Sequence, residues 1–143
     1  LFLFTKAMLN NKKIKIFNNG FMKRDFTYID DVVESIIRLI DKPAIKNTKF
    51  DTYDPKPSSS WAPYKIFNIG NSTSISLLTY IEAIEDSLSI KSKKEFLPMQ
   101  PGDVPATASN IKFLESWIDY KPSTSIKEGV EKFVSWYREF YKV

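Results

Sequence analysis

The sequence of 143 residues contains neither cysteine nor histidine. Without cysteine the chain has no disulfide, no thiolate metal ligand and no thiol nucleophile. Without histidine it has no Ser-His-Asp triad. We therefore predict no metal site, and we predict a cytoplasmic protein, a location with which the lack of cysteine is compatible.

Glycine is also scarce, with four residues at positions 20, 70, 102 and 129. A phosphate-binding loop needs several glycines within a few residues of each other. We therefore assign no cofactor-binding residue to this chain. The adjacent carboxylates at 30–31 and 85–86 point apart on a helix, so we interpret them as caps or solvated groups and assign no catalytic residue either.

Long apolar runs and basic stripes are missing too. No stretch approaches the ~18 apolar residues of a membrane-spanning helix. The net charge of +4 comes from scattered lysines rather than from a basic stripe interleaved with stacking aromatics. We therefore expect neither a membrane nor a nucleic acid among the partners.

The hydrophobic content of 43%, with 15% aromatic residues, predicts a packed core. The chain opens with the apolar run 1–4 (LFLF), and Lys6 and the lack of a charged lead-in argue against a signal peptide. Because a natural amino terminus rarely begins inside a hydrophobic element, we expect further sequence upstream.

Hydrophobic periodicity predicts a mixed α+β pattern with few strands. Asp30 and Asp31 are predicted N-caps of a helix that stops before Pro43, and residues 43–63 are predicted to form a long, mobile or functional loop. The other predicted elements are a helix ending near residue 9, strands over 14–17, 22–29, 64–69 and 94–97, a turn at 18–20, a helix over 77–88, a loop over 98–103, a short helix capped by Ser109, and a final helix capped by Ser125 with Glu128.

Residues 23–32 (KRDFTYIDDV) resemble the Arg-Asp-aromatic-x-aromatic-x-x-Asp segment of the extended short-chain dehydrogenases/reductases, a family that includes nucleotide-sugar epimerases and dehydratases. Three further segments agree with this family in order and spacing. They are 64–70 (YKIFNIG), 100–103 (QPGD), and 120–122 (YKP) with 125–130 (SIKEGV). The chain is thereby identified as a member of the family, and it is most similar to the UDP-glucuronate 4-epimerases.

The resemblance implies an α/β parent protein with a Rossmann-type NAD-binding domain. Residues 1–143 would then be its small mixed α+β, nucleotide-sugar-binding carboxyl-terminal part. In the family the Gly-rich loop and the Tyr-x-x-x-Lys base lie upstream, and none of the seven tyrosines here has a lysine four residues later. The implied cofactor is NAD, held outside this chain, so the chain alone is expected to be inactive.

The implied substrate is a UDP-sugar. UDP-glucuronate epimerases oxidise C4, rotate the keto intermediate and reduce its other face, which yields UDP-galacturonate for surface polysaccharide. A UDP-glucose 4-epimerase, a dTDP-glucose 4,6-dehydratase, a non-catalytic nucleotide-sugar-binding module and a gene remnant remain alternatives. The resemblance further implies a homodimeric parent.

Arg24 and Asp103 match two substrate contacts of the family. The arginine there binds the diphosphate, and a guanidinium suits phosphate because it is planar and permanently charged. A structural ion pair with Asp25 or Asp30 is the alternative role. The aspartate accepts hydrogen bonds from the ribose hydroxyls, although Asp103 could instead cap its own turn.

Three further matches are less direct. Ile16 and Phe17 correspond to the strand that borders the base, and core packing of Phe17 is equally compatible with the sequence. Gln100 stands where the wider family has an arginine that binds the second phosphate, so it keeps the hydrogen bonding and loses the charge. Ser74 falls where some relatives have a substrate-contacting asparagine, and we interpret it as a helix cap.

Overall fold

The computed structural model describes all residues, 1–143, which divide into two compact units. The first unit combines three segments of the chain, Leu1–Phe26, Thr73–Ala108 and Thr124–Val143. The second unit combines Thr27–Ser72 with Ser109–Ser123. Each unit is therefore assembled from segments that lie far apart in the sequence.

Helices predominate over short strands. In chain order the elements are α1 (Phe2–Leu9), β1 (Lys13–Ile16), β2 (Lys23–Asp25), α2 (Ile29–Ile40), β3 (Ser74–Ser76), α3 (Leu77–Leu88), β4 (Lys93–Phe96), α4 (Lys112–Ile118) and α5 (Ile126–Tyr141). Helices α2 and α4 belong to the second unit and all other elements to the first. This arrangement confirms the predicted mixed fold. None of the helices is both long enough and apolar enough to cross a lipid bilayer.

The core of the first unit begins with the alternation along β1. Lys13 and Lys15 are exposed, whereas Ile14 and Ile16 are 2% and 0% exposed, as the two-residue period of a strand requires. Burying one such side chain stabilises the fold by about 1.5–3 kcal/mol. The two isoleucines join a cluster that also contains Met8, Tyr80, Ile81, Ile84, Leu88, Val130 and Val134.

The strands of the first unit form two pairs. β1 runs parallel to β4, and β2 runs antiparallel to β3. The strands predicted over 14–17 and 94–97 are thus confirmed to within one residue. The strand predicted over 22–29 is wrong beyond Asp25, because the pairing with β3 ends at the partners Asp25 and Ser74 and helix α2 begins four residues later.

Two helices of the first unit are capped at their N-termini by serine side chains. Ser125 Oγ accepts a hydrogen bond from Glu128 N at 3.2 Å, which confirms the predicted cap of α5. Helix α3 is capped by Ser76, whose Oγ accepts from Thr79 N at 3.0 Å. The cap predicted at Ser74 is wrong, because the chain continues through β3 before α3 begins.

The predicted N-caps of α2 are also wrong. Tyr28 is the N-cap residue, so Asp30 and Asp31 lie in the first turn of the helix, where the positive end of the helix dipole stabilises carboxylates. Asp31 is 5% exposed and accepts a hydrogen bond from Tyr120 Oη at 2.7 Å. Burial, together with this bond, raises the pKa of Tyr120 to about 12. Asp31 therefore fixes α2 against the segment that follows α4.

The second unit also contains a group of packed aromatic side chains. The rings of Phe67 and Phe113 stack with centroids 5.2 Å apart, and Trp117 lies 5.8 Å from Phe67. Lys65 Nζ lies 4.4 Å from the centroid of Phe113, which is the geometry of a cation–π contact.

Two sequence predictions in the second unit are wrong. Residues 64–69 form no ladder, since only Lys65 makes an isolated bridge, to Ser59. Ser109 does not cap α4, because Ile111 is the N-cap residue and the side chain of Asn110 accepts from Lys112 N at 3.2 Å. Residues 43–63 contain neither helix nor strand, as expected.

Helix α2 presents an uncovered apolar face. Ile36, Ile37 and Ile40 are 49%, 51% and 72% exposed, and Val33 is 46% exposed on the same side. Contiguous apolar surface of this kind is typical of interaction sites rather than of free surface.

A buried carboxylate joins α3 to β4 in the first unit. Glu85 is 3% exposed and accepts hydrogen bonds from Ser92 N at 3.0 Å, from Lys91 Nζ at 3.2 Å and from Lys94 Nζ. Burial alone would raise its pKa, but the bonds from Lys94, Ser92 and Lys91 outweigh this effect and lower the pKa to about 2.

We predict that acid weakens this junction. Because the pKa of Glu85 is lower in the folded chain than its ordinary 4.5, its contribution is complete above pH 4.5 and is lost as the pH falls towards 2. Glu85→Gln should cost about 2 kcal/mol near neutral pH, since it leaves charge-assisted bonds unmade. Urea unfolding of both chains at several pH values measures this, and a Glu85→Gln variant that loses as much stability in acid as the wild type would contradict it.

Candidate functional site

Arg24 lies at the centre of the candidate site, on strand β2. It pairs with Ile75 of β3 at one edge of the strand. At the opposite edge, Lys23 N donates to Pro105 O at 2.9 Å and Lys23 O accepts from Thr107 N at 3.2 Å. Residues 105–107 therefore act as a third strand, and β2 runs between two partners.

Arg24 is half-buried, and its guanidinium bonds back to its own strand. Its Nη1 donates to Lys23 O at 2.8 Å. A guanidinium has further N–H donors in the same plane, so this bond orients the group while leaving it able to donate to an anion.

Gln100 and Asp103 lie in the segment that leads to residues 105–107. Asp103 N donates to Gln100 O at 3.2 Å and closes a turn over the two residues between them. Pro101 follows Gln100, and Gly102 has φ +87°, which is the pattern of a type II turn. The predicted loop is thus a defined turn, with both candidate side chains exposed.

Ile16 and Phe17 lie where this loop begins. Leu97 N donates to Ile16 O at 2.9 Å, and Asn19 N donates to Leu97 O at 3.0 Å. The side chain of Ile16 is fully buried in the core, so Ile16 can face a ligand only through its backbone. Phe17 is half-buried and opens a tight turn in which Asn18 and Asn19 have φ values of +50° and +49°.

The structure therefore brings the predicted residues together in three segments of the first unit. Main-chain hydrogen bonds join the loop of Gln100 and Asp103 to the Ile16 segment at one end and to the Arg24 strand at the other. These joined segments carry a permanent cation at Arg24, an exposed carboxylate at Asp103 and an exposed amide at Gln100. Such a set matches a ligand that carries phosphates and hydroxyls.

A separate apolar crevice of about 430 Å³ adjoins β2. Met22, Lys23, Leu78 and Pro105 are among its lining residues, and none of the five predicted binding residues lines it. This crevice is therefore distinct from the five candidate residues.

Thr107 also contributes to the site, although the sequence did not predict it. Ser74 Oγ donates to Thr107 O at 2.7 Å, and Asp25 N donates to Thr107 Oγ1 at 3.4 Å. Thr107 thus holds the end of the loop to both β2 and β3. No local pattern signals this contact, because Ser74 and Thr107 are 33 residues apart.

A family model described as GDP-mannose 4,6 dehydratase matches residues 3–133. The mixed fold and the matched segments define the class as the NAD-dependent epimerases and dehydratases of the extended short-chain dehydrogenases/reductases, and the chain belongs to this family. This finding confirms the family inferred from the sequence motifs.

Two curated relatives are similar over nearly the whole chain. Protein CapI of Staphylococcus aureus is 51% identical, with 99% of this chain and 42% of the relative covered. The probable UDP-glucuronate 4-epimerase of Rhizobium meliloti is 39% identical, again with 99% and 42% covered. The chain thus spans about two fifths of the length of these relatives.

A solved structure agrees with the fold. The UDP-glucuronic acid 4-epimerase of Bacillus cereus in complex with UDP-glucuronic acid and NAD is 26% identical, with a TM-score of 0.75. The match covers 96% of this chain and 39% of that chain. The expected relation to Rossmann-type epimerases is confirmed.

The two positive-φ glycines around the site permit a matched prediction. An alanine Cβ at Gly102 would meet nothing within 4 Å, whereas at Gly20 it would lie 3.0 Å from Leu78 Cδ2. Gly102→Ala should therefore cost about 1 kcal/mol from backbone strain alone. Gly20→Ala should cost about twice as much, because crowding against Leu78 adds to the strain. Urea unfolding compares the two variants, and equal losses would contradict the contact with Leu78.

Proposed function

We propose that this chain is the substrate-binding part of an NAD-dependent nucleotide-sugar 4-epimerase that converts UDP-glucuronate to UDP-galacturonate. The observation that carries the proposal is the hydrogen-bonded junction of the Arg24 strand with the loop of Asp103. The 39% identity to a probable UDP-glucuronate 4-epimerase supports the choice of substrate.

Each candidate residue has a role that its chemistry suits. Arg24 donates to the diphosphate, where its fixed charge is most effective. Asp103 accepts from the ribose hydroxyls, and its exposure on a turn allows it to reach them. Gln100 supplies an uncharged amide near the phosphates, while the backbone of Ile16 and Phe17 borders the base.

The residues of this chain do not fit NAD. Gly20 lies in a tight turn packed against Leu78, and Gly102 lies in an isolated type II turn. Neither belongs to the strand, Gly-rich turn and helix that hold a dinucleotide. In the proposed enzyme a part of the protein outside residues 1–143 would hold NAD, which would supply hydride transfer at C4 of the sugar.

The exposed face of α2 supports a larger enzyme. Val33, Ile36, Ile37 and Ile40 together form an apolar stripe that water contacts in this chain. The remaining three fifths of a protein as long as the relatives would include surface to cover it. The proposal further includes a homodimeric parent and a role in surface polysaccharide synthesis, which follow from the family resemblance. It also includes a cytoplasmic location, with which the lack of cysteine is compatible.

A binding module without catalytic activity is the second candidate. It is favoured by one observation, namely that all five candidate binding residues lie in a chain with no Gly-rich loop and no Tyr-x-x-x-Lys. Both candidates share nucleotide-sugar binding and differ in catalysis. Within the first candidate, a UDP-glucose 4-epimerase or a dTDP-glucose 4,6-dehydratase remains the alternative to the glucuronate enzyme.

Arg24 provides the direct test of binding. Arg24→Ala should weaken UDP binding at least about tenfold, because a charge-assisted bond to phosphate is lost. The UDP affinity of Arg24→Lys should lie between those of the wild type and Arg24→Ala. Ligand-observed NMR titration with UDP measures this. Arg138→Ala is the matched control, since Arg138 also donates to a main-chain carbonyl, that of Leu88, and lies on α5. Equal UDP affinity of Arg24→Ala and the wild type would refute the phosphate role.

Activity separates the two candidates. Residues 1–143 alone should neither bind NAD nor epimerise UDP-glucuronate. If the coding sequence upstream of Leu1 supplies a Gly-x-x-Gly-x-x-Gly unit and a Tyr-x-x-x-Lys, the longer protein should do both, as measured by NAD retention and by chromatography of the UDP-sugars. A start codon directly before Leu1, or an inactive longer protein that still binds UDP, would favour the binding module.

A further inference from the structure

The end of the loop that carries Asp103 bonds both to strand β2 and to strand β3 on the far edge of β2. Residues 105–107 pair with Lys23 at one edge of β2, while Ser74 belongs to β3 at the other edge. The hydroxyl of Ser74 nevertheless reaches Thr107 O, at 2.7 Å. One side chain thus joins the two partners of β2 directly.

We propose that Ser74 is a positioning residue for the nucleotide sugar, because its hydroxyl holds Thr107 in place and thereby fixes Asp103 relative to Arg24. This inference rests on the proposed function. It assigns to Ser74 neither a contact with the substrate nor a cap of α3, which is capped by Ser76 instead.

The short connection makes such control physically reasonable. Only three residues separate Asp103 from Thr107, and the middle one is Pro105, whose ring fixes its φ angle. Asp103 is exposed, and its amide bonds only within its own turn, to Gln100. The position of its carboxylate therefore depends on how firmly the two ends of the loop are held.

Of the bonds that hold Thr107, the one from Ser74 is the shortest. The others are Thr107 N to Lys23 O at 3.2 Å and Asp25 N to Thr107 Oγ1 at 3.4 Å. Ser74 is also outside the loop, so replacing it removes the hydrogen bond to Thr107 without changing the loop's own residues.

The test compares Ser74→Ala with Ser76→Ala and Ser74→Thr in the full 143-residue chain. Ser76→Ala is the matched control, because it removes the same group from the same strand but affects the cap of α3. Ser74→Thr restores the hydroxyl. Two quantities are measured for each chain: amide hydrogen exchange at Lys23 and Thr107, and affinity for UDP by ligand-observed NMR titration.

We expect Ser74→Ala to exchange both amides about fivefold faster and to bind UDP about fivefold more weakly, the effect of one net hydrogen bond. Ser74→Thr should return towards the wild type in both quantities. Ser76→Ala should lower the melting temperature while leaving UDP affinity and the exchange of these two amides near the wild-type values.

Each contrary result has one meaning. If the amides of Lys23 and Thr107 exchange no faster in Ser74→Ala, the hydrogen bond from Ser74 does not hold Thr107 in place. Faster exchange with unchanged UDP affinity, or equal loss of affinity in Ser76→Ala, overturns the positioning role. If the wild type binds no UDP but Ser74→Ala still speeds amide exchange at Lys23 and Thr107, the proposed function fails. The Ser74–Thr107 hydrogen bond is then purely structural.

Discussion

The two main-chain hydrogen bonds of Lys23 are the interactions on which the candidate site depends. They give β2, a strand of three residues, a second partner in residues 105–107. Isolated pairs of such short strands are marginal in water, whereas a strand held at both edges is firmly placed. Arg24 is consequently fixed in the middle of three paired segments, and the loop with Asp103 must approach it. The same two bonds thus build the fold locally and assemble the site.

Interactions between residues close in sequence could be predicted, whereas those between residues far apart in sequence could not. The cap of α5 joins Ser125 to Glu128, three residues away, and the Pro-Gly turn before Asp103 is equally local, so their residue types were sufficient. Motif order was enough to identify the family. The contacts of Ser74 with Thr107 and of Asp31 with Tyr120 span 33 and 89 residues. Serine and aspartate suit many partners, and only the folded chain selects among them.

The roles proposed for Arg24 and Asp103 concern parts of the substrate away from the bond that an epimerase changes. Arg24 and Asp103 would hold phosphate and ribose, not the sugar carbon that is oxidised. Contacts of this kind contribute to catalysis by orienting the substrate before it reacts, and this effect requires a second, rigidly placed set of catalytic groups. The proposed binding role and the uncovered apolar face of α2 therefore agree with the proposal that this chain is one part of a larger enzyme.

Main-chain hydrogen bonds hold both ends of the loop, and each end has a further support of different chemistry. At its beginning, Leu97 follows β4, and the buried, ionised Glu85 accepts hydrogen bonds from Lys94 of this strand and from Ser92 just before it. Its other end depends on neutral hydrogen bonds that include one serine hydroxyl. Charge-assisted bonds are about twice as strong as neutral ones. Local opening should therefore start at the Thr107 end, because regions held by fewer and weaker bonds open first. Asp103 lies close to this more weakly held end, and the proposed dependence of its position on the bond from Ser74 follows from that.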